Sequence, residues 1–426
     1  MRALVLAMVV IASALPGAVG ALPGAAVVDD VFQIPVEGEG AKYWPRWRGP
    51  SGQGLVSGSG YVDRWSATDN IKWRTPLDAP GNGSPIVWGN RIFLVTGAPQ
   101  GTTRGIAAFD RASGRKLWET AAPEAPAESV YPKNGYASST PATDGRLVYA
   151  YLGAHGVMAV DVHGKQMWHQ PVSSTQAPHG TAGSPLLYKD RVIIYQDQRG
   201  GGFIRAFDAK TGAVRWSTPR TEQVGWGTPI AIRAGARDEI IVSSMRKVYA
   251  YHPDSGAVLW TVGGSLFEVI PTPVAGHGLV FASSGRSGPT LAIRPGGSGD
   301  VTDTHVAWKE VKGSPFVPSP LLYGDELYLI NDMASIATAY DATSGTVRWQ
   351  GRLGTAAREG FSASPVGVDG KVFFTNDSGE TFVLQAGKEF RLLHVNTFGE
   401  PVLASPALVD GTWYFRTHGH LVAIGK

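Results

Sequence analysis

Residues 206–216 read AFDAKTGAVRW, and this phrase decides the fold. Gly212 stands four positions after Asp208, and Trp216 stands four positions after the glycine. An Asp side chain can bond the amides of a turn, and a Gly supplies the positive φ that a tight hairpin requires. The phrase therefore predicts two antiparallel strands joined by a short turn, with a tryptophan on the second strand.

The same phrase recurs along the chain. Six copies are recognisable, at Asp110–Trp118, Asp161–Trp168, Asp208–Trp216, His252–Trp260, Arg294–Trp308 and Asp341–Trp349. A small residue followed by proline opens each of eight units, at Pro85, Pro141, Pro185, Pro229, Pro273, Pro320, Pro365 and Pro406. Three successive intervals between these prolines are 44 residues long. A fixed period in this range indicates a solenoid, an array or a propeller.

The two ends of the repeat region complement each other. Each unit predicts four strands, because its middle alternates in two-residue steps and is rich in β-branched and aromatic residues. After Pro406 the chain supplies only three strands, the last at His420–Gly425, whereas Asp69–Arg74 resembles a fourth strand that no repeat precedes. The sequence therefore predicts an all-β fold, an eight-bladed β-propeller of four-stranded antiparallel blades whose last blade is closed by an N-terminal strand.

The N-terminal region divides into three parts. Residues 1–21 contain one Arg, an apolar stretch and then small residues, which predicts a secretory signal peptide, with an uncleaved membrane anchor as the alternative. We expect residues 22–43 to be a linker and residues 44–426 to be the propeller. The aromatic and Arg-rich segment Tyr43–Pro50 is predicted to plug or clasp one face of the ring.

Composition excludes several functional classes. Charged residues make up 17% of the chain, and the net charge is +3 without a basic run, so no nucleic-acid partner is expected. No segment after the leader is apolar enough to span a bilayer. The chain has no cysteine, which excludes disulfides and a thiol nucleophile. No phosphate-binding loop or dinucleotide fingerprint is present. We expect a periplasmic or secreted monomer.

The repeat phrase resembles that of the pyrroloquinoline-quinone-like propeller family over residues 44–426. Three further segments are similar to a subfamily of secreted single-domain propellers: WPRWRGPSGQG at Trp44, NGYASSTPATDGRLVYAYLG at Asn134 and LAIRPGGSGDVTDTHVAW at Leu291. The family includes the propeller subunit of the outer-membrane β-barrel assembly machinery, a scaffold, and quinoprotein dehydrogenases, which hold the quinone and calcium in the central channel. This chain lacks both the lipid-carrying Cys of the former and the adjacent cysteine pair of the alcohol dehydrogenases.

The candidate site residues lie in loops that share one face of a propeller. These loops join the fourth strand of one blade to the first strand of the next, or the second strand to the third. The channel-mouth candidates are Lys133, Asn134, His179, Asp197, Arg199, Glu222, Trp226, Glu268, Arg286, Asp332, Arg358, Phe361 and Asp377. The interpretation that we favour is a solvated rim whose acids and arginines pair with each other. The alternative is a site for a planar or polar ligand with Trp226 or Phe361 as an apolar platform.

The resemblance and the loops favour a non-catalytic binding or scaffold module with a protein or cell-envelope partner, and no cofactor is expected. A first alternative is a dehydrogenase of alcohols or sugars that depends on pyrroloquinoline quinone (PQQ) and calcium. In it Asp332 or Glu268 would act as the base and Trp226 would stack on the quinone. A second alternative is a carbohydrate-binding propeller. Calcium would need convergence of acids from different blades, and zinc would need a third ligand beside His418 and His420.

Overall fold

The computed structural model describes residues 30–126, 128–172, 176–286, 288–355 and 360–426. In them the chain forms eight antiparallel blades around an axis. The strands are Ile86–Trp88, Arg91–Gly97, Arg104–Asp110 and Lys116–Ala121 in blade 1; Ala142–Thr143, Leu147–Tyr151, Val157–Asp161 and Gln166–Gln170 in blade 2; Leu186–Tyr188, Arg191–Gln196, Gly202–Asp208 and Val214–Arg220 in blade 3; and Ile230–Ala234, Arg237–Ser243, Lys247–Tyr251 and Val258–Gly263 in blade 4.

Blades 5 to 8 continue the same pattern. Their strands are Val274–Gly276, Leu279–Ser283, Thr290–Ile293 and Val306–Glu310 in blade 5; Leu321–Tyr323, Glu326–Asn331, Ile336–Asp341 and Val347–Arg352 in blade 6; Val366–Val368, Lys371–Thr375, Glu380–Gln385 and Leu392–Thr397 in blade 7; and Ala407–Val409, Thr412–Arg416 and His420–Ile424 with Ile71–Pro76 in blade 8. The first strands contact each other between blades 2 and 3, 3 and 4, 5 and 6, 6 and 7, and 8 and 1. The predicted eight-bladed propeller is confirmed.

The N-terminal strand closes the ring as predicted. Ile71–Pro76 pairs antiparallel with His420–Ile424, and Trp73 faces Ala423 in this ladder. The last blade therefore takes its outer strand from a part of the sequence that precedes blade 1. Ile71–Pro76 covers the outer edge of His420–Ile424, which would otherwise be free to pair with another chain.

The repeated tryptophans join one blade to the next. Six of them donate an indole hydrogen bond of 2.9–3.1 Å to a backbone carbonyl of the following blade: Trp73, Trp118, Trp168, Trp216, Trp308 and Trp349. Trp260 instead donates to Oε2 of Glu239 at 2.8 Å. The turn that should receive it is replaced by an insertion, of which Gly299–Asp300 pairs in parallel with the outer strand of blade 4.

Residues 31–56, which we call the channel segment, run through the axis of the ring. Val31–Gln33 pairs antiparallel with Ile230–Ala234, the inner strand of blade 4. Trp44 bridges to the inner strand of blade 1, and Leu55 bridges to that of blade 7. Within the predicted linker at 22–43, Val31–Gln33 and Ile34 thus pair with the inner strand of blade 4. Residues 22–29 of that linker and the predicted signal peptide lie outside the described residues.

Two arginines of the channel segment are buried without an acidic partner in the described part of the chain. Arg46 donates from Nη2 to the carbonyls of Ile34 and Pro50, at 2.8 and 2.9 Å. Arg48 is 2% exposed, and its Nε and Nη1 have no hydrogen-bond partner among the described residues. Burial alone lowers the pKa of Arg46 to about 10 and that of Arg48 to about 9.

Helices are few and short. The described residues contain 3₁₀ helices at Gly38–Lys42 and Gly153–His155 and one α-helical turn at Thr302–His305. None of these could cross a lipid bilayer.

Candidate functional site

A cavity of about 690 Å³ lies on the axis, on the face where the candidate loops meet. Trp47 of the channel segment lines its inner end. Val31–Gln33 pairs with Ile232–Ala234 on the inner strand of blade 4. These three residues form the end of the strand that lies away from Thr228, which lines the cavity wall. The channel segment thus fills the far half of the channel, and the axial cavity opens on one face.

The wall next to Trp47 is a ring of hydroxyl groups, one from each blade. The ring consists of the Ser or Thr that precedes each repeat proline: Ser84, Thr140, Ser184, Thr228, Thr272, Ser319, Ser364 and Ser405. Seven of these hydroxyls accept a hydrogen bond of 2.7–3.1 Å from the backbone N–H of the equivalent residue in the preceding blade. The hydroxyl ring therefore joins the blades at the axis, as the tryptophans do at the periphery.

Three aromatic rings follow one another along one side of the cavity. The ring of Tyr131 meets that of His179 edge to face at 5.5 Å, and His179 lies 6.0 Å from Trp226. The indole N–H of Trp226 donates to the carbonyl of Gly180 at 2.8 Å, which fixes the ring in place. His179 and Glu268 both adopt positive φ, +66° and +57°, a conformation that is costly without glycine and is often found at functional sites.

Charged groups at the cavity mouth are paired. Lys133 Nζ lies 2.7 Å from Asp377 Oδ2, and Arg286 Nε lies 3.5 Å from Glu268 Oε2. The Arg286 guanidinium also lies over the ring of Phe316, at 4.6 Å from its centre. The interpretation of the loops as a solvated rim expects such ion pairs. In the structure these ion pairs surround a cavity.

Asp332 lies behind this rim and is completely buried. Its Oδ1 accepts a hydrogen bond from the backbone N–H of Phe316 at 2.7 Å, and its Oδ2 has no partner among the described residues. Burial raises the pKa of Asp332 to about 6, against the attraction of Lys133. Burial also raises the pKa of Asp377.

Six of the candidates line the axial cavity: Lys133, Asn134, His179, Trp226, Glu268 and Arg286. Asp377 contacts the lining residues Lys133 and Ser362, and Asp332 supports the loop of Phe316. Arg199 is exposed outside the cavity lining. Arg358 lies outside the described residues.

Three other candidates lie within the protein and away from the cavity lining. Asp197 accepts hydrogen bonds from Arg220 at 2.6 and 3.0 Å, and Glu222 accepts one from the hydroxyl of Tyr249 at 2.6 Å. Phe361 is 1% exposed and packs in the core between blades 6 and 7, so its interpretation as a ligand platform is wrong.

Sequence reasoning missed the hydroxyl ring, Trp47 and Tyr131 as lining residues. The Ser-Pro and Thr-Pro pairs were visible as the starts of strands. Their proximity at the axis depends on the closure of the ring, which the local sequence does not show.

The acids of the site do not fit a calcium ion. Among the described residues no group of three or more His, Asp or Glu side chains is close enough to hold a metal. Asp197, Glu268 and Asp377 each have a basic partner, so none is free to supply the clustered oxygens that calcium requires. His420, which the sequence offers with His418 as a candidate zinc ligand, contacts Glu400 through Nδ1 at 3.0 Å.

The family follows from a match over most of the chain. The model of the family described as outer membrane protein assembly factor BamB matches residues 50–194, 106–351 and 332–424. The chain belongs to this family. It is a pyrroloquinoline-quinone-like propeller, as its repeat phrase indicates.

Similar solved structures share the BamB-type fold. BamB from Moraxella catarrhalis superposes with a TM-score of 0.58 and 13% identity, over 83% of this chain and 96% of that one. Quinohemoprotein alcohol dehydrogenase from Comamonas testosteroni gives a TM-score of 0.65 and 13% identity, over 95% and 84% of the two chains. At these identities the likeness concerns the fold alone.

A curated relative is the tetrathionate hydrolase of Acidithiobacillus ferrooxidans, which is 22% identical over 388 residues. The match covers 82% of this chain and 65% of the hydrolase. The chain therefore spans less than two thirds of that enzyme.

Proposed function

We propose that this chain is a non-catalytic binding propeller of the cell envelope, periplasmic or secreted, which holds a small polar ligand in the axial cavity. One observation supports this proposal above the others: the cavity of about 690 Å³ has the size of a small-molecule site and is closed at one end by the channel segment. Aromatic rings on one side and hydroxyls at the inner end suit a ligand that has both a flat and a polar part.

The donor set argues against the dehydrogenase alternative. The quinone chemistry of the solved relatives would need a metal ion beside an available base. Here Glu268 is engaged by Arg286, and Asp332 is enclosed with one oxygen on a backbone N–H. We therefore propose no catalytic step through PQQ or calcium.

Two exposed apolar residues beside the mouth support a protein partner on the same face. Leu266 and Phe267 are 45% and 69% exposed, and they directly precede the cavity residue Glu268. Adjacent exposed apolar side chains are typical of interaction surfaces. The family description, an assembly factor, agrees with a scaffold role, which is our second candidate function.

The ligand proposal is tested by calorimetry and tryptophan fluorescence with four probes: PQQ with and without calcium, glucose, and sodium tetrathionate. We expect saturable binding of at least one probe without reduction of a redox dye. Ala182 lines the cavity, so Ala182→Trp should abolish binding, whereas Ala112→Trp, in an exposed turn outside the cavity, should not. Calcium-dependent dye reduction with alcohols or sugars, or binding that survives Ala182→Trp, would contradict the proposal.

The scaffold candidate is tested by affinity capture from envelope extracts of the source cells. A Leu266→Ser/Phe267→Ser double variant should lose a partner that the wild type retains. Val347→Ser, at another exposed apolar position on an outer strand, serves as the control and should retain it. Equal recovery by all three proteins would refute the docking role of the loop.

A further inference from the structure

We propose that the inner end of the axial cavity is an anion site, built from the hydroxyl ring and from Arg48 beside Trp47. The ligand class is an oxyanion, either free or as the carboxylate or sulfonate group of a larger molecule. This inference rests on the proposed binding function and specifies which ligands the cavity prefers.

The hydroxyl ring offers O–H groups that donate to no acceptor within the described parts of the chain. Seven of its hydroxyl oxygens accept a backbone N–H, and in that role each oxygen keeps its own proton. Seven O–H groups therefore line one level of the cavity wall. Hydroxyl groups at one level of a wall can rotate to donate to one bound acceptor, and a negatively charged acceptor is favoured because charge-assisted hydrogen bonds are stronger than neutral ones.

Arg48 supplies a positive charge near the hydroxyl ring, and this charge complements an anionic ligand. Arg48 Cζ lies 5.8 Å from the centre of the Trp47 ring, and Trp47 lines the cavity. Arg48 has two N–H-bearing nitrogens, Nε and Nη1, without partners among the described residues. The nearby Arg46 is satisfied by carbonyls and also lacks an acid in the described part of the chain. A positive charge in a poorly solvated region acts over a longer distance than the same charge in water.

The acids near the cavity do not cancel this field. Glu268 and Asp377 lie at the mouth and are each paired with a basic side chain. Asp332 is buried behind the rim, where its Oδ1 accepts the backbone N–H of Phe316, so it lies near the mouth and not at the inner end. The inner end of the cavity therefore has hydroxyl donors and an uncompensated guanidinium, whereas the mouth has both signs of charge in pairs.

The test compares two probes of the same shape, benzoate and benzamide, by calorimetry at constant ionic strength with the full chain. We expect benzoate to bind with one site per chain and at least about tenfold more tightly than benzamide, because only benzoate carries the charge that the site complements. Inorganic sulfate in competition distinguishes a site for a free oxyanion, when sulfate displaces benzoate, from a site that also needs the ring of the ligand.

Arg48→Met removes the charge and should lower the benzoate affinity about tenfold while leaving benzamide unchanged. Lys371→Met is the charge control, because it also removes one positive charge but lies beside Asp63, outside the cavity lining. Thr272→Val, which removes one ring hydroxyl, provides a second variant if Arg48→Met fails to fold.

The outcomes separate this inference from the proposed function. Equal binding of benzoate and benzamide would overturn the anion site and leave the binding propeller intact. Benzoate affinity that is unchanged in both Arg48→Met and Thr272→Val would also overturn it. Failure of both aromatic probes to bind would overturn it too, and the binding function would then be decided by glucose, tetrathionate and PQQ.

Discussion

Asp332 is a residue whose ionisation the fold opposes. Its pKa is about 6 in the folded protein, because burial disfavours the charge, against an ordinary value of 3.8. The neutral acid is therefore favoured by folding. The stability that the neutral Asp332 carboxyl contributes is complete below about pH 4 and is lost as the pH rises through about 6.

We predict that Asp332→Asn becomes more stable relative to the wild type as the pH rises. The amide keeps an acceptor for the N–H of Phe316 and cannot ionise. Between pH 4 and pH 8 the difference in the free energy of unfolding should move in favour of the variant by about 2 kcal/mol. Urea denaturation at both pH values measures this change, and a difference independent of pH would contradict the burial effect.

Asp208 should behave in the opposite way and serves as the control. Burial opposes its ionisation, but hydrogen bonds from Thr211 and Arg215 outweigh burial and lower the pKa to about 2. Its stabilisation is present above its ordinary pKa and is lost as the pH falls through about 2. Asp208→Asn should therefore be destabilising at pH 7, and the loss should shrink in acid.

At the scale of elements, the contact between a tryptophan and the next turn is the repeated unit of construction. Trp216 donates to the carbonyl of Pro253, and its ring lies against Gly256, where a Cβ would come within 2.3 Å of the ring. The glycine of the repeat phrase thus has two functions. It permits the positive φ of the turn, and it leaves room for the indole of the preceding blade.

We predict that Gly256→Ala costs about 3 kcal/mol of stability. About 1 kcal/mol reflects the positive φ, and the remainder reflects the clash with Trp216. Gly89→Ala is the matched control, because Gly89 also has positive φ but no atom within 4 Å of its Cβ position. Urea denaturation should show a loss of only about 1 kcal/mol for that control. Equal losses in the two variants would show that the indole contact does not matter.

The sequence predicted those elements that depend on local chemistry. The Asp208 to Gly212 turn is specified by neighbouring residues, so the repeat phrase was sufficient to predict the hairpins. The insertion after Arg294 is different, since Gly299–Asp300 pairs with a strand of the preceding blade. That pairing brings together residues distant in sequence, and no local pattern indicates it. The burial of Phe361 between blades 6 and 7 was also missed, because it depends on packing against residues distant in sequence.

At the scale of the whole molecule, two sets of contacts join the blades independently of the channel segment. The hydroxyl ring connects them at the axis, and the tryptophans connect them further out. The segment adds a strand to blade 4 and bridges to blades 1 and 7. The ring could therefore persist without the first part of the segment.

We predict that deletion of residues 30–42 leaves a folded propeller that is less stable by roughly 3 kcal/mol, mainly through the lost burial of Val31. Amide hydrogens of Ile230–Ala234 should exchange faster, because their partner strand is gone. The inner strand Leu321–Tyr323 of blade 6 has no such partner in the described residues and should be unchanged. Global unfolding of the truncated chain would contradict this independence.

Ring closure also has a consequence for biosynthesis. Lys72 contacts the backbone carbonyl of Lys426 across a sequence separation of 354 residues. The ribosome therefore releases Ile71–Pro76 long before it makes His420–Ile424. During that interval the nascent chain exposes an unpaired strand that is available to neighbouring polypeptides. Translation speed and molecular chaperones should consequently affect the yield of this protein more than its final stability suggests.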